Sequence, residues 1–164
     1  MRFPCIFRRD MKYIWALDVS MKNTGVSIFT NDGKHCDTFS IETGEKDLHQ
    51  KRLKYLYDEI LKKRKKYKPE LVVIEEGFFR FIRSTQVLFR AFGVVQLAFH
   101  DVEQTLYQST TIKKIVAGRG NCGKDDLKDA IHHRYPKIKF KNFDESDSFA
   151  TGLTYFIKKG ILDG

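Results

Sequence analysis

Five acidic side chains stand where a chain could do chemistry. Asp18 closes an apolar run, YIWALD from Tyr13 to Asp18; Glu75 and Glu76 follow the apolar part of LVVIEEGFF, Leu71 to Phe79; Asp144 and Asp147 stand three apart in NFDESDSFATG. A carboxylate at the mouth of a buried strand is costly unless a cation meets it there. That cation could be Mg²⁺, or simply a lysine or arginine. On a helix, residues three apart project from one face, so Asp144 and Asp147 could arrive together. Acids in a first helical turn also serve as caps and dipole partners, which would make Asp144 an N-cap and nothing more. If the acids do gather, they repel by several kcal/mol at an effective dielectric of about 20, unless divalent cations sit among them. A two-ion carboxylate site of that kind hydrolyses phosphodiesters.

The elements that must position these acids can be read in order. Tyr13 to Asp18 is a strand; Thr24 to Thr30 alternates as a second, and Asn31-Asp32-Gly33 is a hairpin signal before a third, His35 to Ile41. From Lys46 to Tyr67, Leu53, Leu56, Tyr57, Ile60 and Leu61 recur at helical spacing and give one apolar stripe. The helix ends in KKRKKYK, which suits the negative pole of its dipole. Pro69 stops it, and Leu71 to Phe79 reads as a strand buried on both faces. Ser84 to Gln104 is a helix apolar on nearly every side, which needs cover on more than one. A short strand, Thr105 to Gln108, a helix in IKKIVAG and another from Asp125 to Tyr135 precede the apolar helix that carries Asp144 and Asp147. This order is that of the α/β ribonuclease H-like fold: a mixed five-stranded sheet, three antiparallel strands then parallel additions, with helices on both faces. In it the first and fourth strands lie side by side, and the last helix crosses them.

Composition narrows the partner. A chain of 164 residues with 41% apolar content supports one full core, here residues 13–164 after an extension over 1–12. The formal charge of +9 points to a polyanion such as nucleic acid. No apolar run approaches the roughly 20 residues of a membrane helix, and MRFPCIFRRD does not read as a signal peptide. Three cysteines (Cys5, Cys36, Cys122) without a CxxC pair suggest reduced thiols and a cytoplasmic setting. The loop GRGNCGKD comes close to a phosphate-binding GxxxxGK[ST] loop, but Asp125 stands where the hydroxyl should be and no buried strand leads in. The simpler reading is a basic loop, with Lys113, Lys114, Arg119 and Lys124 available to phosphates.

Taken together, four motifs in order resemble the Holliday-junction resolvases of the RuvC type, in particular the smaller phage-encoded branch, over roughly Ile14 to Ile157. They are Asp18 followed by Thr24-Gly25; the acid of VVIEEGFF; Lys113 and Lys124 around IVAGRG; and Asp144-x-x-Asp147 with Ala150 beyond. The family pattern picks Glu75 over Glu76 and places its aromatic on Phe78. Departures are Val19-Ser20 where Pro-Gly is usual, and Ser148-Phe149 for Ala-Leu. The resemblance implies a homodimeric, Mg²⁺-dependent nuclease for four-way junctions and other branched DNA, leaving 5′-phosphate and 3′-hydroxyl ends. Asp18, Glu75, Asp144 and Asp147 would hold two ions, with Mn²⁺ an expected substitute. Lys113 and Lys124 would serve the scissile phosphate, and Phe78, Arg80, Lys114 and Arg119 would bind DNA. The helix from 84 to 104 is the expected dimer contact, and a phage-encoded member would act in the host cytoplasm. Nuclease action on RNA or RNA/DNA hybrids, non-cleaving recognition of branched DNA, and a small ATPase are the alternatives.

Overall fold

Three segments rich in β-branched and aromatic residues, β1 (Tyr13–Asp18), β2 (Asn23–Phe29) and β3 (His35–Glu42), pair antiparallel in sequence order. The computed structural model describes residues 11–76 and 82–164; residues 1–10 of the extension expected over 1–12, and Phe78 and Arg80, lie outside the described residues. The turn after β2 uses Gly33 at φ 81, the left-handed backbone a glycine adopts freely. Helix α1 (His49–Lys66) returns the chain to β4 (Pro69–Glu76), which lies parallel to β1. Helix α2 (Ile82–Ala98) then leads to β5 (Glu103–Gln108), parallel to β4, so the sheet order is β3-β2-β1-β4-β5. Helices α3 (Ser109–Ala117), α4 (Lys124–Arg134) and α5 (Phe143–Lys158) complete the chain. This is the expected mixed sheet, with β1 and β4 as parallel neighbours.

The period-two pleat of the strands separates two apolar layers. Tyr13, Trp15, Leu17, Val72 and Ile74 face Leu56 and Ile60 of α1 and Ala91 and Val95 of α2. Ile14, Ala16, Leu71 and Val73 face Ile112, Leu127, Ile131, Phe149, Leu153 and Phe156 from α3, α4 and α5. Trp15, the only tryptophan, is fully buried and donates its ring N–H to the Tyr67 carbonyl at 2.8 Å, so the central strand is fixed to the end of α1.

Three sequence expectations are corrected. The helix expected over Ser84 to Gln104 ends at Ala98, because a turn at 99–102 breaks it. Arg64 pins that turn, donating to the Ala98 carbonyl and to both oxygens of Asp101, and β5 begins at Glu103. Periodicity alone hid this break, since apolar residues continue through it. Helix α1 starts at His49, after a turn closed by Asp47 N–H on the Gly44 carbonyl. Cys36 is disulfide-bonded, against the expectation of reduced thiols, while Cys122 is a buried free thiol. Among the described residues no helix is long and apolar enough to cross a membrane.

Helix α5 crosses β1 and β2 closely enough to reach backbone. A β-carbon placed on Gly25 would lie 1.9 Å from the Asp144 carbonyl oxygen and 2.3 Å from its carbon. The glycine is therefore a steric requirement for docking the start of α5 on the sheet. Gly25→Ala is expected to lower stability by about 1–3 kcal/mol, the usual range for overpacking. Urea denaturation of the two proteins measures this, and an unchanged midpoint would show that α5 does not pack as described.

Candidate active site

The pleat decides where each acid goes. Along β1, Ile14 and Ala16 face α5, and Asp18 continues that side; along β4, Leu71 and Val73 do so, and Glu75 continues it. Leu17 pairs with Ile74, which puts Asp18 and Glu75 one rung further on, at the C-terminal ends of two adjacent parallel strands. Glu76 points to the opposite face, where it lines a groove with Leu88, Phe89 and Leu106. Two strand ends thus present two half-buried carboxylates side by side.

The other two acids come from the first turns of α5. The N-cap is Asn142, whose side-chain oxygen accepts the Glu145 N–H at 2.9 Å. Glu145 is itself buried and accepts from the Ser40 hydroxyl at 3.0 Å and from the Lys141 N–H at 2.8 Å. Capping is therefore performed by Asn142 and Glu145, which corrects the reading of Asp144 as a cap. Asp144 is held from the side by Asn23, whose amide donates to its Oδ2 at 2.7 Å. Asp147 is buried, with Lys124 Nζ 3.1 Å from its Oδ2, while its Oδ1 is buried without a hydrogen-bond partner. Beneath this turn Ser27 and Ser148 share a buried hydrogen bond of 2.9 Å, tying α5 to β2.

The charges act on one another. Burial first, then the nearby charges of Glu75, Asp147 and Asp144, push the Asp18 carboxyl well above the usual range, with Lys124 opposing. Glu75 is raised by burial and by Asp147, against a hydrogen bond from Ser109 and the charges of Lys124 and Lys113. Asp147 is raised by burial against the pull of Lys124. Burial depresses Lys124, but Asp147, Asp18 and Asp144 outweigh it and the ammonium is held above its usual value. Four carboxylates and one lysine form a single electrostatic unit.

Among the described residues, no three Asp, Glu, His or Cys are drawn closely enough together to close around an ion as they stand. The Lys124 ammonium takes up one oxygen of Asp147. The donor set is nonetheless entirely carboxylate oxygen, with one buried oxygen of Asp147 unpartnered, which is the chemistry a hard divalent cation prefers.

The remaining candidates fall around this unit. Lys113 on α3 is half-buried, and its charge reaches Glu75 and Asp147. Lys114 and Arg119 are exposed, Arg119 meeting Asp126 at 3.4 Å. Helix α3, not a strand, leads into the glycine loop, and Asp126 accepts the Gly123 N–H at 3.0 Å. That arrangement sets a carboxylate where a nucleotide-binding loop would bind phosphate. Sequence reading missed Asn23 and Glu145. The visible signal for Asn23 was a polar residue at a strand start, two positions before the glycine that α5 must approach.

Comparison with known proteins gives one consistent result. The family model described as crossover junction endodeoxyribonuclease RuvC matches residues 14–155. A relative of that description from Brachyspira hyodysenteriae is 31% identical over 133 residues, covering 79% of this chain and 82% of its own. Among solved structures, Thermus thermophilus RuvC superposes with a TM-score of 0.76 at 20% identity, covering 91% of this chain and 97% of that one. The same protein in complex with a Holliday junction substrate gives 0.78 at 18%, covering 92% and 97%.

The raised carboxyl of Asp18 has a consequence for stability. Its folded pKa lies above its unfolded value, so its proton is bound more tightly in the folded chain. Stability from this group is present at low pH and is lost as pH rises from the unfolded carboxylate range through the folded pKa. In chelator, Asp18→Asn is expected to be more stable than the wild type at neutral pH, with the difference shrinking towards pH 4. Thermal melts across this range test it; parallel curves for the two proteins would contradict the crowding of charge at Asp18.

Proposed function

The chain belongs to the RuvC family of crossover junction endodeoxyribonucleases, and on that basis and its carboxylate cluster we propose that it nicks four-way junctions and other branched DNA by metal-dependent phosphodiester hydrolysis. The observation that carries the reading is the convergence of charge on Asp18 from Glu75, Asp144 and Asp147, which reach it from one further strand and one helix. Asp18, Glu75, Asp144 and Asp147 are the residues that would hold two Mg²⁺ ions, with Mn²⁺ an acceptable substitute. Such ions supply activation of water and neutralisation of charge on the departing 3′-oxygen. Products are then a 5′-phosphate and a 3′-hydroxyl.

The chain's own residues provide the rest. Lys113 and Lys124 sit beside the acids and meet the scissile phosphate, where an ammonium stabilises developing negative charge. Asn23 orients Asp144, and the partly buried lattice of Glu145, Ser40 and Asn142 fixes the turn that carries it. Lys114 and Arg119 contact phosphates at the rim, and Phe78 and Arg80, which lie outside the described residues, are assigned to DNA binding from the motif alone, Phe78 by stacking on an unpaired base. Within the family the motif resemblance supports the phage-encoded branch.

A four-way junction is two-fold symmetric, so paired nicks ask for a two-fold dimer. The exposed face of α2 supports this. Phe89 and Leu97 are 54% and 59% exposed there, beside a groove of about 260 Å³ lined by Phe92, Gly93 and Leu106. A side chain on Gly93 would meet nothing within 4 Å, leaving room for an approaching helix.

Two measurements follow. Asp18→Asn is expected to bind a synthetic four-way junction and to cut it at least 100-fold more slowly in Mg²⁺. Nicking at the wild-type rate would remove Asp18 from the site. Leu97→Glu is expected to sediment as a monomer where the wild type is a dimer, and to lose paired cuts on one junction. A dimer that persists in this variant would move the contact away from α2.

A further inference from the structure

Phe143 plays no part in the cluster, yet it stands beside it. It is the first residue of α5, next to Asp144, and is 39% exposed although it is one of the largest apolar side chains. Two ammonium groups lie over its ring, Lys124 Nζ at 5.7 Å and Lys128 Nζ at 5.8 Å from the centroid. Lys124 is the same lysine that reaches Asp147, so one side chain touches both the acids and the aromatic surface. The backbone under the ring is fixed, with Asn142 capping the helix and the Ser146 hydroxyl donating to the Phe143 carbonyl at 2.8 Å. A partly exposed aromatic on a fixed helical turn, with cations at its face and the positive end of a helix beside it, is an arrangement suited to a splayed nucleotide. The ring takes the base, while the ammonium groups and the helix terminus take its phosphates.

We propose that Phe143 is a stacking platform for an unstacked nucleobase next to the carboxylate cluster, with Lys124 and Lys128 holding the phosphates that flank it. This rests on the reading of the cluster as a site that cuts branched DNA, and it adds a determinant of substrate choice. A base within a continuous duplex is already stacked on both sides and cannot offer its face to the ring. A base at a crossover, gap or strand end can. Because every base has an aromatic face, the contact selects distorted DNA over regular duplex without selecting sequence.

The test compares the wild type with Phe143→Ala, Phe143→Leu and Phe143→Trp in the full-length chain. Each is titrated, with Ca²⁺ present, against a four-way junction carrying 2-aminopurine at the crossover and against a continuous duplex of the same length. Leucine keeps apolar cover over the lysine stems and loses the aromatic face; tryptophan keeps the face. The alanine and leucine variants are expected to bind the junction roughly 5- to 100-fold more weakly and to lose the part of the 2-aminopurine quench that Phe78 does not supply. The tryptophan variant should retain both, and duplex affinity should change little in all three. Leucine binding the junction as tightly as the wild type would overturn the proposal, as would an equal loss on junction and duplex. A wild type that neither prefers the junction in this titration nor nicks it in a parallel assay with Mg²⁺ overturns the nuclease reading itself. A wild type that nicks it, with leucine indistinguishable, overturns the stacking role alone.

Discussion

Like charge gathered at one end of a sheet is the constraint from which the rest of this structure follows. Asp18 and Glu75 are brought together because β1 and β4 are parallel neighbours and their pleats are in step. Asp144 and Asp147 are added because α5 lies across β1 and β2 with its first turn over Gly25. Burial makes each ionised carboxylate expensive, and its neighbours make it more so. The chain meets that cost with a few directed contacts, Lys124 on Asp147, Asn23 on Asp144 and Ser109 towards Glu75.

The rigidity needed to hold such a cluster comes from beneath it. The Ser27 to Ser148 bond, the Phe29 ring against Phe149 and Phe156, and the capping by Asn142 and Glu145 lock α5 to the sheet. Glu145 is the informative case, because it is the most buried acid of the turn and yet it serves architecture. Its oxygens are fully engaged by Ser40 and the Lys141 N–H, which leaves its neighbours Asp144 and Asp147 as the acids available to a ligand. The opposite layer is plainer. Helices α1 and α2 cover the other face of the sheet, and α2 leaves an apolar surface outward.

Much of this was legible in the sequence because the period of the apolar residues is physical information. Alternation in TGVSIFT, the stripe of α1 and the acid at the end of an apolar run each follow from which face must be buried. The parallel pairing of β1 and β4, and with it the meeting of Asp18 with Glu75, came from the order of elements. What stayed hidden depended on contacts distant in the chain. The break after Ala98 needs Arg64 of α1, and the exchange of roles between Asp144 and Asn142 with Glu145 needs Ser40 of β3. The choice between Glu75 and Glu76 is a matter of pleat phase, which an apolar run buried on both faces does not display. Phe143 could not be separated from an ordinary core residue until its exposure and its two lysines were seen.

On the proposed reading, four carboxylates from two strands and one helix make one divalent-ion site. Crystals grown with Mn²⁺ and measured for anomalous scattering test it most directly. Anomalous peaks are expected at about 2 Å from carboxylate oxygens of Asp18, with Glu75, Asp144 and Asp147 completing the coordination and Lys124 displaced from Asp147. Mn²⁺ bound elsewhere, with Lys124 still on Asp147 and the four acids apart, would contradict it.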